Sequence, residues 1–250
     1  GRPDATAVID PYLSDYLAGK YAGTEFPHIR MMRAPIAPGE LTGVDTVFCT
    51  HAHSDHMDPG TLPGLAAANP RCTFVVPAAV RTEAEKRGAP ADRVLALDAG
   101  ETAGLDRPGH RVRAVPAAHE VLETDEKGRH RFLGYIVEIG GIRFYHSGDG
   151  IPYEGLEERI GAGQVDVALL PVNGRDTYRR ERGVPGNFTV EEALDLCAAL
   201  EIPVLVPHHF GMFDFNTVDP TDIVRIYNRK PRPAALTLPE MEYEYFFKKT

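Results

Sequence analysis

Four side chains able to ligate a metal fall within six residues: His51, His53, Asp55 and His56, in the run Thr50-His51-Ala52-His53-Ser54-Asp55-His56. Imidazole and carboxylate are the donors that suit zinc, iron or manganese. Donors at this spacing cannot all point one way from a strand or a helix, because they follow neither period. A loop can wrap them around one or two ions. Residues 44–49, just upstream, form a short apolar run that reads as a buried strand, so the donors are expected on a loop at a strand end. The bland alternative is a polar surface loop that is rich in histidine by chance.

A His-x-His-x-Asp-His run after a buried strand resembles the signature of the metallo-β-lactamase superfamily. The resemblance implies an α/β (α+β) fold: a four-layered αββα sandwich of two mixed β-sheets flanked by helices, with the metal site at one edge between the sheets. It also implies three further ligands downstream, a His, an Asp and a His, each at a strand end. His119, Asp149 and His209 stand in that order after expected strands. His208 is the rival for the last place, and relatives set one residue between the preceding Pro and the ligand, which favours His209. By this resemblance His51, His53 and His119 hold one divalent ion, Asp55, His56 and His209 hold a second, and Asp149 bridges them. Zinc or manganese fits, and iron is also compatible. A metal-bridging hydroxide would be the nucleophile, and Asp55 could orient it or take its proton. His146 is expected to hydrogen-bond within the fold. His28, His110 and His130 follow no pattern and are expected on the surface.

Departures within the superfamily narrow the reading. His53 stands where flavo-diiron proteins have Glu, and Asp149 where antibiotic-degrading enzymes have Cys. The runs Ile9-Asp10-Pro11-Tyr12, Tyr145-His146-Ser147-Gly148-Asp149, Leu170-Pro171-Val172-Asn173-Gly174-Arg175, Gly186-Asn187-Phe188-Thr189 and Pro207-His208-His209-Phe210 resemble the L-ascorbate-6-phosphate lactonase branch. That implies a hydrolase opening a small phosphorylated sugar lactone. Asn173, Arg175 and Asn187 are expected to bind this small anionic substrate, because Arg grips phosphate or carboxylate bidentately. Arg33 and Tyr12 are further contributors from the segment before the motif. A phosphodiesterase acting on a cyclic nucleotide or a phospholipid head group shares much of the layout. A third reading, from another class, is a non-enzymatic metal-binding protein. Lactonase-like relatives also carry an opening strand pair that this chain is expected to lack, and they assemble into homo-oligomers.

The elements that must position these residues follow from pattern. Strands are expected at 6–10, 44–49, 72–76, 93–97, 111–115, 133–139, 142–145, 165–170, 203–206 and 242–247. Gly140-Gly141 marks a hairpin between two of them. Helices are expected at 59–69, 77–87, 154–160, 190–200, with Thr189 and Glu192 as a capping box, and 220–229. Residues 12–41 read as a covering loop.

The 250 residues suit one α/β domain over 1–250. Lys and Arg number 27 against 36 Asp and Glu, a formal charge of −9, which argues against a nucleic-acid partner. Three Cys with no paired spacing fit a reducing, cytoplasmic setting. No apolar run approaches the ~18 residues of a membrane span.

Overall fold

A computed structural model of the protein describes residues 5–231 and 234–248. In chain order the elements are β1 (Ala7–Ile9), α1 (Tyr16–Lys20), β2 (Thr46–Phe48), α2 (Leu62–Ala68), β3 (Thr73–Pro77), α3 (Arg81–Lys86), β4 (Val94–Leu97), β5 (Thr102–Gly104), β6 (Arg111–Pro116), β7 (Leu133–Ile139), β8 (Ile142–His146), α4 (Leu156–Ile160), β9 (Val167–Pro171), α5 (Thr177–Glu181), α6 (Val190–Ala199), β10 (Val204–His208), α7 (Pro220–Arg229) and β11 (Ala235–Leu236). They build a four-stranded sheet in the order β1-β2-β3-β4 and a seven-stranded sheet in the order β11-β10-β9-β8-β7-β6-β5. The larger sheet is mixed, as expected. The smaller one is parallel throughout, because each of its crossovers returns the chain to the same end.

Strand alternation sorts the core into layers. Val47 and Cys49 face helices α2 and α3, with Leu62, Leu65 and Ala84. Phe48, between them, faces the other sheet. It joins Val75, Val112, Ala114, Leu133, Tyr135 and Val137 in the layer between the sheets. Val115, Ile136 and Tyr145 point outward to α4, α6 and α7. Helix, sheet, sheet and helix therefore stack in that order. The expected capping box at Thr189 is present and starts α6. The hairpin turns at Gly140-Gly141, both at positive φ, which the tight turn requires.

Strand direction then fixes where the loops meet. β6 and β8 both run antiparallel to β7, and β8, β9 and β10 are mutually parallel. The ends of β6, β8, β9 and β10 thus share one edge. Leu133 N–H donates to Thr50 O at 3.0 Å, which brings the end of β2 to that same edge.

Two expected features differ. Residues 242–247 alternate like a strand but pair with no strand among the described residues. β10 already has the short β11 beside it, and Tyr245 Oη folds the segment back on Leu238 O and Glu240 N–H. The covering segment is a loop apart from α1, pinned from beneath by Arg30, whose guanidinium donates to Ser14 O and Tyr12 O. The short β5, α5 and β11 have no sequence pattern long enough to announce them.

Candidate metal centre and active-site cavity

The run after β2 folds into a tight turn in which His53 O accepts from both His56 N–H and Met57 N–H. This throws His51, His53, Asp55 and His56 onto the shared edge. His119 follows β6, Asp149 follows β8 and His209 follows β10. Two nests result: His51, His53, His119 and Asp149 in one, Asp55, His56, Asp149 and His209 in the other, the donor atoms of each within 4.8 Å of one another. Asp149 belongs to both. Its Oδ2 lies 3.9 Å from His51 Nε2 and 4.0 Å from His119 Nε2. Its Oδ1 lies 3.1 Å from His56 Nε2 and 3.2 Å from His209 Nε2. Asp55 Oδ2 adds to the second nest at 3.6 Å from His56 and 3.8 Å from His209.

A layer of hydrogen bonds behind the nests sets the rings. Asp10, at the end of β1 with φ 49°, accepts from Thr50 N–H and from Thr50 Oγ1, both at 2.7 Å. Because that hydroxyl donates to Asp10, it accepts from His51 Nδ1 at 3.0 Å. Asp10 Oδ2 also takes His56 Nδ1 at 2.7 Å. Both imidazoles therefore carry a proton on Nδ1 and turn Nε2 toward Asp149. Gly148 lets the Asp149 loop approach, since a Cβ there would meet Thr50 Oγ1 at 2.7 Å, and its φ is +59°.

The electrostatics divide along the same line. Burial pushes the imidazoles of His51 and His53 down, and that of His119 down to about 4, so all three are neutral near pH 7. Burial opposes charge on His56 and His209 too, but the facing carboxylates outweigh it, raising His56 well above its usual range and His209 to about 9. Asp149 and Asp55 are held low by these same two histidines, against the opposing effect of burial. Protons and divalent cations compete for such nitrogens.

The donor set fits metal. His51 Nε2 is buried and lacks a hydrogen-bond partner, and His56 Nε2 and Asp149 Oδ1, though 3.1 Å apart, are not in hydrogen-bond geometry. Such orphans cost about 1–3 kcal/mol each unless something else satisfies them.

The structure places His209, not His208, in the cluster. His208 stacks on His146 behind it, ring centroids 4.4 Å apart, and His146 Nδ1 accepts from Gly148 N–H. A cavity of about 420 Å³ opens beside the nests, lined by His53, Asp55, His119, Asp149 and His209 on one side. Asn187 lines it as well. Asn173 does not: it is buried and donates to Asn187 Oδ1 at 2.9 Å and Asn216 Oδ1 at 2.7 Å, holding two amides that do reach the cavity. Arg175 is also absent from the lining, contrary to expectation. Its guanidinium is taken bidentately by Glu192 at 2.7 and 2.5 Å and donates to Asn187 O. Arg33 points out to Glu242, and Tyr12 is buried behind the site, its hydroxyl accepting from Leu17 N–H. His28, expected on the surface, lines the cavity. His110 is buried, and His130 is half-buried against Asp98. Sequence reasoning missed Asp10, Thr50 and Asn216 as site residues. Asp10 and Thr50 did carry a signal, each as the polar residue ending an expected strand, and Asn216 stood among the residues that resemble the lactonase branch.

Two His/Asp nests that share one carboxylate, at the edge of a two-sheet sandwich, define a class: metal-dependent hydrolases of the metallo-β-lactamase kind. The family pattern of the beta-lactamase superfamily domain matches residues 6–210, and the chain belongs to that superfamily. A UPF0173 metal-dependent hydrolase of Aeropyrum pernix is 27% identical over 242 residues, covering 89% of this chain and 90% of that one. Among solved structures, a metallo hydrolase from Ignicoccus hospitalis superposes with a TM-score of 0.65 at 24% identity, covering 83% of this chain and 81% of its own. An isothiocyanate hydrolase from Delia radicum gut bacteria gives 0.70 at 16%, covering 94% and 89%. Both share the fold. The chain is accordingly a metal-dependent hydrolase. No helix among the described residues is long and apolar enough to cross a membrane.

Proposed function

We propose that the protein opens a small lactone held in the cavity beside the two nests. One observation carries the reading: Asp149 offers one oxygen to each nest, and members of both nests line the same cavity. When bound, two divalent ions would lower the pKa of a water toward neutrality and polarise an ester carbonyl. The residues of the chain do the rest. Asp149 sets the spacing of the nests. Asp55 stays ionised and reaches the cavity, so it accepts a hydrogen bond and orients the nucleophile. Asn187 Nδ2 is buried and unpartnered, and Asn216 Oδ1 is already used by Asn173 and Arg179. Each amide therefore has N–H groups left to meet substrate oxygens.

The sugar-phosphate form of this reading loses its Arg175 anchor, and among the described residues the Lys and Arg side chains that line the cavity are Lys20, Arg87 and Arg182. What remains of the reading is an ester small enough for the cavity, with its carbonyl toward the two nests. Turnover of a simple lactone and an aryl phosphodiester by the metal-loaded protein, side by side, tests it. Hydrolysis of the lactone in preference is expected. Preference for the diester would replace this reading with a phosphodiesterase.

A further inference from the structure

The cavity has a second wall, opposite in chemistry to the first. Tyr21, Phe26 and His28 from the covering segment meet Phe213 and Phe215 from the loop after β10, and all five line the cavity that holds the nests. Their rings are ordered. Tyr21 and His28 stack at 4.2 Å with planes 19° apart, and Phe26 and Phe215 stack at 4.6 Å and 23°. His28 stands edge-on to Phe213 at 5.0 Å and to Phe215 at 4.7 Å.

His28 is locked in place. Its Nδ1 donates to Phe26 O at 2.6 Å, and its backbone sits at φ 51°, a left-handed conformation that non-glycine residues adopt at some cost. Burial keeps the imidazole uncharged near neutral pH. Phe213 is buried against Tyr12 and serves as the anchor of the group. The other four rings are only partly buried and leave surface toward the cavity.

Charge on this side is largely spent. Arg182 pairs with Glu25 at 3.0 Å and lies over the Tyr178 ring. Arg87 pairs with Glu83 at 2.7 Å and donates to Ala52 O and Met57 O. Among the described residues lining the cavity, Lys20 is the one cation with no carboxylate partner, and it sits over Tyr21 at 5.0 Å. Along this wall a sugar phosphate would find aromatic rings and a single exposed ammonium for its phosphate.

We propose that this wall is a flat-ring subsite: the substrate carries an aromatic or similarly planar, uncharged group that stacks on Phe26, His28 and Phe215 while its ester meets the nests. The inference rests on the hydrolase reading above for the position of the ester, but not for the stacking.

Binding separates the two. Calorimetric titration of the metal-loaded protein with 3-phenylpropanoate and with 3-cyclohexylpropanoate compares ligands of equal charge and similar apolar area that differ in planarity. The phenyl acid is expected to bind about fivefold tighter, the scale of one aromatic contact. His28→Asn, which tolerates the left-handed backbone, and Phe215→Leu should each bring that ratio toward unity. Equal affinities in the native chain overturn the subsite, as does a ratio that survives both substitutions, or glucose 6-phosphate binding tighter than the phenyl acid. If a variant does not fold, the comparison in the native chain still decides. Should the phenyl preference hold while no lactone is turned over, the lactone reading falls and the subsite stands. Lactone turnover without the preference gives the reverse.

Discussion

His56 Nδ1 lies 2.7 Å from Asp10 Oδ2, so the carboxylate ending the first strand fixes an imidazole 46 positions further along the chain. The same carboxylate reaches His51 through the Thr50 hydroxyl. One side chain thereby chooses the tautomer of a donor in each nest.

Asp10→Asn tests that relay. The amide keeps the shape but cannot accept from Nδ1 and Oγ1 at once in the same way. Metal affinity should fall about 10- to 100-fold, as for other residues that orient ligands. Competition against a chromophoric chelator measures it, and an unchanged affinity would show that the rings hold their orientation without Asp10.

Metal content should distinguish the nests. The native chain is expected to carry two ions, and His209→Ala one, because the first nest keeps all its donors. Elemental analysis counts them. Ions that bind only the folded chain stabilise it by mass action, so a chelator should lower Tm in the native protein more than in His209→Ala. A native chain with one ion, lost in that variant, would contradict the division.

Arg175→Ala should change KM for an anionic substrate less than twofold, because the guanidinium serves Glu192 and the Asn187 backbone and does not line the cavity. Its cost is to stability, about 0.5–1 kcal/mol or roughly 1–4 °C in Tm. Burial raises the Glu192 carboxyl, but donors from Arg175 and Thr189 outweigh this and leave it below its usual range. A depressed carboxylate stabilises above its unfolded pKa and loses that effect as pH falls through its folded value. The gap between the native chain and the variant should be full at neutral pH and shrink below about pH 4. Thermal melts across that range check both points.

Gly148→Ala should cost roughly 2–4 kcal/mol, from a left-handed backbone and a clash with Thr50. Activity should fall further than stability predicts, since Asp149 is the next residue. Comparing kcat at a temperature where the variant is fully folded separates the two effects.

How legible this was in the sequence depended on range. The ligand cluster was readable because four of its donors sit together, and the others follow strong strand signals, as with Asp149 after the Gly140-Gly141 hairpin. The substrate side was not. Arg175 looked free because nothing in the sequence links it to Glu192, whose first evident task was the capping box of α6. Asn173 and Asn187 were expected to meet substrate, but only Asn187 lines the cavity, while Asn173 lies behind it and bonds Asn187 and Asn216. Residues 242–247 show the converse failure: alternation describes a face, while a strand also needs an edge to join.

The nests draw on residues 51–56, 119, 149 and 209, gathered from the ends of strands in two different sheets. No fragment made early in synthesis holds a complete set, and the second nest closes only when His209 arrives after β10. Loop closure over such spans is slow relative to local structure. An ion held by the second nest is therefore expected to bind only once the sheets have docked, so that its retention would report completed folding.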